Sequence, residues 1–223
     1  MPLRIHPNKR QTKINWAGAT IADNNIVSQA LGGGSSLVTA GTGQALLTIS
    51  DNTVSSRVTI EKAPEIANSQ DNSFAATRFP YFVVDFAVNT QKSNQNIFIG
   101  FRQTGTNTSM PVNTENHFGI AYEGQQVANS RWTWVNANGT TRYTLPFADS
   151  NIANVTKYRV EGHLFSDHIL FVLGSASGVV RTIRQTVLLP TGNMDWQVLF
   201  TSLGTGAAAS SYLTIGTMIF EED

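Results

Sequence analysis

The sequence predicts an all-β fold, an antiparallel sandwich, and three observations predict it. Residues 156–220 read as one hairpin after another with no helical period. Short runs rich in Val, Ile, Thr and aromatics, bounded by Gly, Asn, Asp and Ser, recur along the chain at the spacing of sandwich strands. No shift in composition marks a domain boundary, and 223 residues suit one such domain.

The elements follow in order. Residues 1–13 hold two prolines and four basic residues without periodicity, which predicts an extended arm. Residues 14–21 hold the first strand. Residues 32–36 (GGGSS) form a loop too short to link domains. Short strands follow at 37–40, 45–50 and 56–62, then a long irregular connection over 63–79. Residues 81–89 (YFVVDFAVN) and 96–102 (NIFIGFR) alternate strongly, with a Thr- and Asn-rich loop over 103–115 after them. Strands at 117–123, 131–135 and 140–145 come next, the last two joined by a turn at 136–139 (NANG). Residues 146–155 are a loop. The hairpin 156–164/168–173 turns at Ser166 and Asp167, and strands at 179–189, 196–203 and 212–220 close the chain. Alternation puts Phe82, Val84, Phe86 and Val88 on one inward face, and Tyr158, Val160 and Leu164 on another.

This order of elements resembles the concanavalin A-like lectin/glucanase sandwich, a jelly roll shared by legume lectins, laminin-G-like domains and viral surface proteins. The resemblance lies in YFVVDFAVNT (81–90), residues 97–101, HFGIAY (117–122), the hairpin YRVEGHLFSDHILFVL (158–173) and the closing strand 212–221. It covers about residues 14–220 as an order of strands rather than as a motif. A single capsid-type jelly roll is the alternative fold. The resemblance implies two face-packed sheets, with the last strand pairing near the first.

Composition narrows the function. Charged residues are 13% of the chain and the net charge is zero, so the polar surface is made of Asn, Gln, Ser and Thr. Such a surface suits close packing in an assembly or hydrogen bonding to sugars, and not nucleic acid, which demands concentrated Lys and Arg. The charge is uneven. Arg4, Lys9, Arg10 and Lys13 precede the first acid, Asp23, and the chain ends Glu221-Glu222-Asp223. Those four cations are the candidate assembly residues of the arm, and the acidic end reads as a frayed tail. With no cysteine, thiol chemistry and Cys-ligated zinc are excluded. The opening residues lack the apolar core of a secretion signal, and no apolar run reaches the length of a membrane span. The expected origin is a host cytoplasm, and the sequons at Asn107, Asn138 and Asn154 are read as chance.

Catalytic and metal patterns are sparse. The glucanase branch of the resembled family sets acids at alternate positions of one strand, whereas Asp85, Glu123, Glu161 and Asp195 each stand alone in their runs. His163, Asp167 and His168 bracket one turn and could converge on a metal, but a solvated hairpin end is the preferred reading, because zinc sites usually show three ligands with supporting hydrogen bonds. Asp149 with Asn151, and Asp23 with Asn24, are the calcium candidates. Residues 204–209 (GTGAAA) lie between strands and so lack the helix a dinucleotide loop needs. Trp132 and Trp134 share a strand face, as do Phe118, Ile120 and Tyr122. Such rings are more often core, and Trp132, Trp134 and Tyr122 are the alternative glycan-stacking set.

The expectation is a non-enzymatic virion protein, a capsid decoration, head-fibre or tail-associated sandwich of a phage. It would act as a homo-oligomer with other virion proteins, without cofactor, metal, nucleic acid or membrane. The alternatives are a lectin, adhesin or receptor-binding module for surface glycans, and a glucanase-like hydrolase.

Overall fold

The computed structural model describes residues 10–14, 26–31, 35–40, 43–50, 56–62, 74–89, 95–103, 109–124, 132–146, 156–176, 178–202 and 211–222. These form two antiparallel sheets packed face to face, and no α-helix occurs among them.

Sheet 1 runs in the order β14 (Gly178–Gln185), β13 (Ile169–Ser175), β12 (Tyr158–Leu164), β7 (Tyr81–Val88), β16 (Ser211–Glu222), β4 (Gln44–Ile49) and β3 (Ser35–Ala40), with β1 (Arg10–Ile14) also on β16. Sheet 2 runs β11 (Arg142–Pro146), β10 (Trp132–Asn138), β9 (Asn116–Glu123), β8 (Gln95–Gln103), β15 (Asn193–Ser202), β5 (Arg57–Lys62) and β2 (Ile26–Leu31), with β6 (Phe74–Ala75) also on β15.

Strand alternation builds the core. Phe82, Val84, Phe86 and Val88 of β7 are buried, as are Val160 and Leu164 of β12, while Tyr158 is half-buried against the same cluster. They meet the inward residues of sheet 2, and aromatic pairs cross the gap. Trp134 stacks on Phe171 at 4.7 Å, Trp196 on Phe220 at 4.7 Å, and Phe86 lies 5.3 Å from Trp132. Gly162 of β12 lies under the Phe82 ring, and a Cβ there would fall 2.3 Å from Phe82 Cε1.

β16 is the spine of sheet 1. One of its edges pairs with β7 along most of its length, with the register shifting between Ile215 and Met218. The other edge serves two partners in turn, β4 along Ser211–Ile215 and β1 along Met218–Glu222. The last strand thus lies beside the first, as the resemblance implied, but the first strand begins earlier than the periodicity indicated. Arg10 and Lys13 are therefore strand residues rather than parts of a free arm. The open edge of β16 offers backbone groups that β1 satisfies, opposing Arg10 to Glu222 and Lys13 to Ile219. Arg4, Lys9 and residues 15–25 lie outside the described residues.

The acidic pair Glu221-Glu222 is not frayed, and Asp223 lies outside the described residues. Glu221 and Glu222 are buried in β16, and the Glu222 carboxylate accepts hydrogen bonds from the Ala75 amide at 3.0 Å and Arg78 at 3.3 Å. Periodicity missed β2 and β6, and it carried the strand from residue 179 past its observed end at Gln185. Leu188 there adopts φ 54°, which no strand tolerates.

Candidate functional site

The outer face of sheet 2 carries the buried polar residues Arg102, His117 and Gln197. Strands β8 and β9 run side by side there, with Gly100 opposite Gly119. A Cβ on Gly100 would lie 2.3 Å from the Phe118 carbonyl, and one on Gly119 2.3 Å from that of Ile99. Neither position accepts a side chain, so the middle of this face is bare backbone.

On one flank of the glycines lies an apolar strip, Phe98, Ala121, Val135 and Leu199, buried with Met110 packed against it. On the other flank register sets a polar row. Arg102 lies between Asp195 and His117, His117 is opposite Ala137, and Ala137 is opposite Arg142.

Arg102 is 1% exposed, so its guanidinium must be paired. It donates to the Ser109 carbonyl at 2.6 Å, to Gln197 Oε1 at 2.8 Å and to Glu115 Oε2 at 2.5 Å. Gln197 in turn donates to Glu61 Oε2 at 2.7 Å. Burial pushes the Glu61 carboxyl above its ordinary range, and the neighbouring Asp195 charge adds to that shift. Arg142 pairs with Glu123 at the far end of β9, so its side chain bridges the face lengthwise. His117 is fully buried, and its Nδ1 lies 2.9 Å from the Glu115 carbonyl. That carbonyl only accepts, so Nδ1 carries the proton and Nε2 is a bare acceptor. Burial, then the charge of Arg142, lowers the His117 pKa to about 3, and the ring stays neutral.

The row ends at a cluster of loops. Segment 109–115 is tied down by the Arg102 bonds and by Arg142 to the Pro111 carbonyl at 3.5 Å. Asn116 accepts from the Thr191 amide at 2.9 Å, and its side-chain amide is flanked by Gly139 and Gly192. Asn138 caps its own turn by accepting from the Thr140 and Thr141 amides at 3.2 and 3.1 Å. The exposed residues described at this end include Asn113, Thr114, Thr140, Thr141, Thr191 and Asn193, along with Val112, 48% exposed, and Val187, 49% exposed.

The residues singled out from the sequence fall elsewhere. Trp132, Trp134 and Tyr122 are 0%, 1% and 3% exposed in the core, so none offers a ring face to a sugar. His163 lies 3.9 Å, ring to ring, from Phe165, which stacks on His168 at 4.5 Å. Asp167 bonds His168 at 2.7 Å and Arg184 at 2.9 Å, and no group of metal-ligating side chains forms among the described residues. Asp85 is held by Arg159 at 2.7 and 2.9 Å, and Glu161 accepts from Tyr81 at 3.2 Å. Asp23, Asn24, Asp149, Asn151 and residues 204–209 lie outside the described residues. Sequence reasoning missed Arg102, Glu115, Gln197 and Glu61, which only register brings together. The mid-strand glycines of NIFIGFR and HFGIAY were the available signal.

No protein-family model and no curated protein matches this chain. Solved structures do match. Peanut lectin shares 13% identity at a TM-score of 0.62, covering 96% of this chain and 98% of its own. The fold is the concanavalin A-like sandwich. The same concanavalin A-like sandwich is found in the exoplasmic/lumenal domain of VIP36 in its Ca2+-bound form, at 12% identity, a TM-score of 0.61 and coverage of 96% and 90%. It also underlies the alginate lyase Aly36B, solved with an alginate tetrasaccharide, at 12% identity, a TM-score of 0.57 and coverage of 96% and 97%.

Proposed function

We propose that the chain is a non-enzymatic carbohydrate-recognition domain that binds glycans at the loop end of sheet 2. One observation carries the reading: three connections, residues 109–116, 138–141 and 185–193, meet at Asn116 and carry exposed amides, hydroxyls and two exposed valines. Sugars ask for such a surface, with fixed hydrogen-bonding groups beside small apolar patches. Asn116 is fixed by Thr191 and by two glycine neighbours, so these groups are held in place before a ligand arrives. The lectins among the similar folds support the same reading.

The virion role expected from the sequence rested chiefly on a free basic arm. With Arg10 and Lys13 in strand β1, that ground is reduced, and glycan recognition is the better-supported function.

The test is a glycan array probed with the wild type and with Asn116→Ala, together with an assay for reducing ends. Binding by the wild type that is lost in the folded variant is the expected result. Absence of binding across the array sinks the proposal. Sugar release that disappears in Glu61→Gln would replace it with a hydrolase.

A further inference from the structure

We propose that Arg102 and Arg142, with His117 between them, form a subsite for acidic sugars, and that the chain's own Glu115 and Glu123 now occupy the places of two ligand carboxylates. This rests on the carbohydrate reading above and names its ligand class.

Both arginines are paired in the same incomplete way. Each contacts its glutamate through a terminal nitrogen, Arg102 to Glu115 and Arg142 to Glu123, and in each the buried Nε–H has no hydrogen-bond partner. A carboxylate docked side-on engages Nε and a terminal nitrogen together, the bidentate mode that suits guanidinium best. The glutamates, tethered on their own backbones, leave half of that mode unused.

His117 supplies the third element. Its Nε2 is buried without a partner, and as a bare acceptor it asks for a hydroxyl donor. By backbone register Arg102, His117 and Arg142 lie in one row, with Ala137 of β10 between the last two, and they bring a donor, an acceptor and a donor to it. A chain of uronate sugars carries the complementary order of carboxylate, hydroxyl, carboxylate. A neutral sugar could meet His117 but would bring no anion to replace either glutamate, leaving a nearly buried guanidinium uncompensated.

Exchange is electrostatically even, because one carboxylate replaces another. It is also geometrically open on the acid side: both glutamate side chains are 21% exposed, against 1% and 15% for their arginines. The acids are therefore the members of each pair that solvent, and a ligand, reach first.

The experiment is titration calorimetry on the full chain with a galacturonate tetrasaccharide, its carboxyl-reduced counterpart, and a sulfated, carboxyl-free oligosaccharide. The uronate should bind and the other two should not. Glu123→Gln removes a built-in competitor and should tighten uronate binding by about tenfold, while Arg142→Gln should weaken it by at least about tenfold. Melting curves of both variants separate binding from folding. A role for Glu123 confined to stability would lower the melting temperature without tightening binding, and that result overturns the exchange. Equal binding of uronate and its reduced form overturns the ligand class yet leaves the carbohydrate reading standing. Equal binding of the sulfated sugar overturns carboxylate selectivity. Failure of the folded wild type to bind any sugar removes both.

Discussion

Gly162 makes a demand that no other residue can meet. Its hydrogen faces Phe82, and that ring is held among Phe101, Phe118 and Phe220 at 5.7–6.3 Å. Gly162→Ala should therefore overpack a core that cannot yield, at a cost of about 1–3 kcal/mol in urea unfolding. Trp132→Ala and Trp134→Ala should each cost about 3–5 kcal/mol, because both rings are fully buried large aromatics. His117 makes a different kind of demand. Its folded pKa of about 3 lies below the ordinary value of 6.5, so the unfolded chain binds the extra proton between those limits. The stability it contributes is complete above pH 6.5 and is lost as pH falls toward 3. Unfolding at pH 7 and pH 4.5 should show that loss in the wild type and a shallower one in His117→Gln. An unchanged pH slope in the variant would reassign the acid sensitivity to other groups.

Among the elements, those with clean alternation were legible from sequence alone. β7, β12 and β13 announce themselves because one face is buried and the other is not, so apolar and polar residues must alternate. β1 did not, since RQTKI carries no apolar repeat and owes its place to the open edge of β16. The same limit hid the candidate site. Arg102 and His117 lie in separate runs that read as ordinary strands, and only the pairing register sets them side by side. The tail was misread for a related reason. Glu222 looks solvated in sequence, but it is placed against the Ala75 amide and Arg78. Removing residues 1–13 should accordingly lower stability, because β16 loses the partner of its terminal half. Chemical denaturation of the truncated chain measures this, and an unchanged midpoint would show that β1 contributes nothing to the sheet.

For the whole molecule, the order of strands in sheet 1 sets the terms of assembly. β16, the last of the described strands, joins β7 to β4, so the sheet lacks its middle until β16 is in place. A chain ending at Ser202 should fail to form the sandwich, which circular dichroism and proton line widths would show as lost tertiary order. A folded truncated chain would mean that sheet 2 and the outer half of sheet 1 suffice. The pairing of Arg10 with Glu222 has one more consequence. Register partners lie about 5 Å apart, so the backbone at Arg10 and the backbone at Glu222 meet almost at one point. That point is beside Ala75, whose strand pairs with Asn193 at the loop end proposed to hold sugars. A short peptide bridging Glu222 back to Arg10 in a chain trimmed to residues 10–222 would close it into a circle, and new ends could then be cut at a distant hairpin, freeing the ground next to the binding loops.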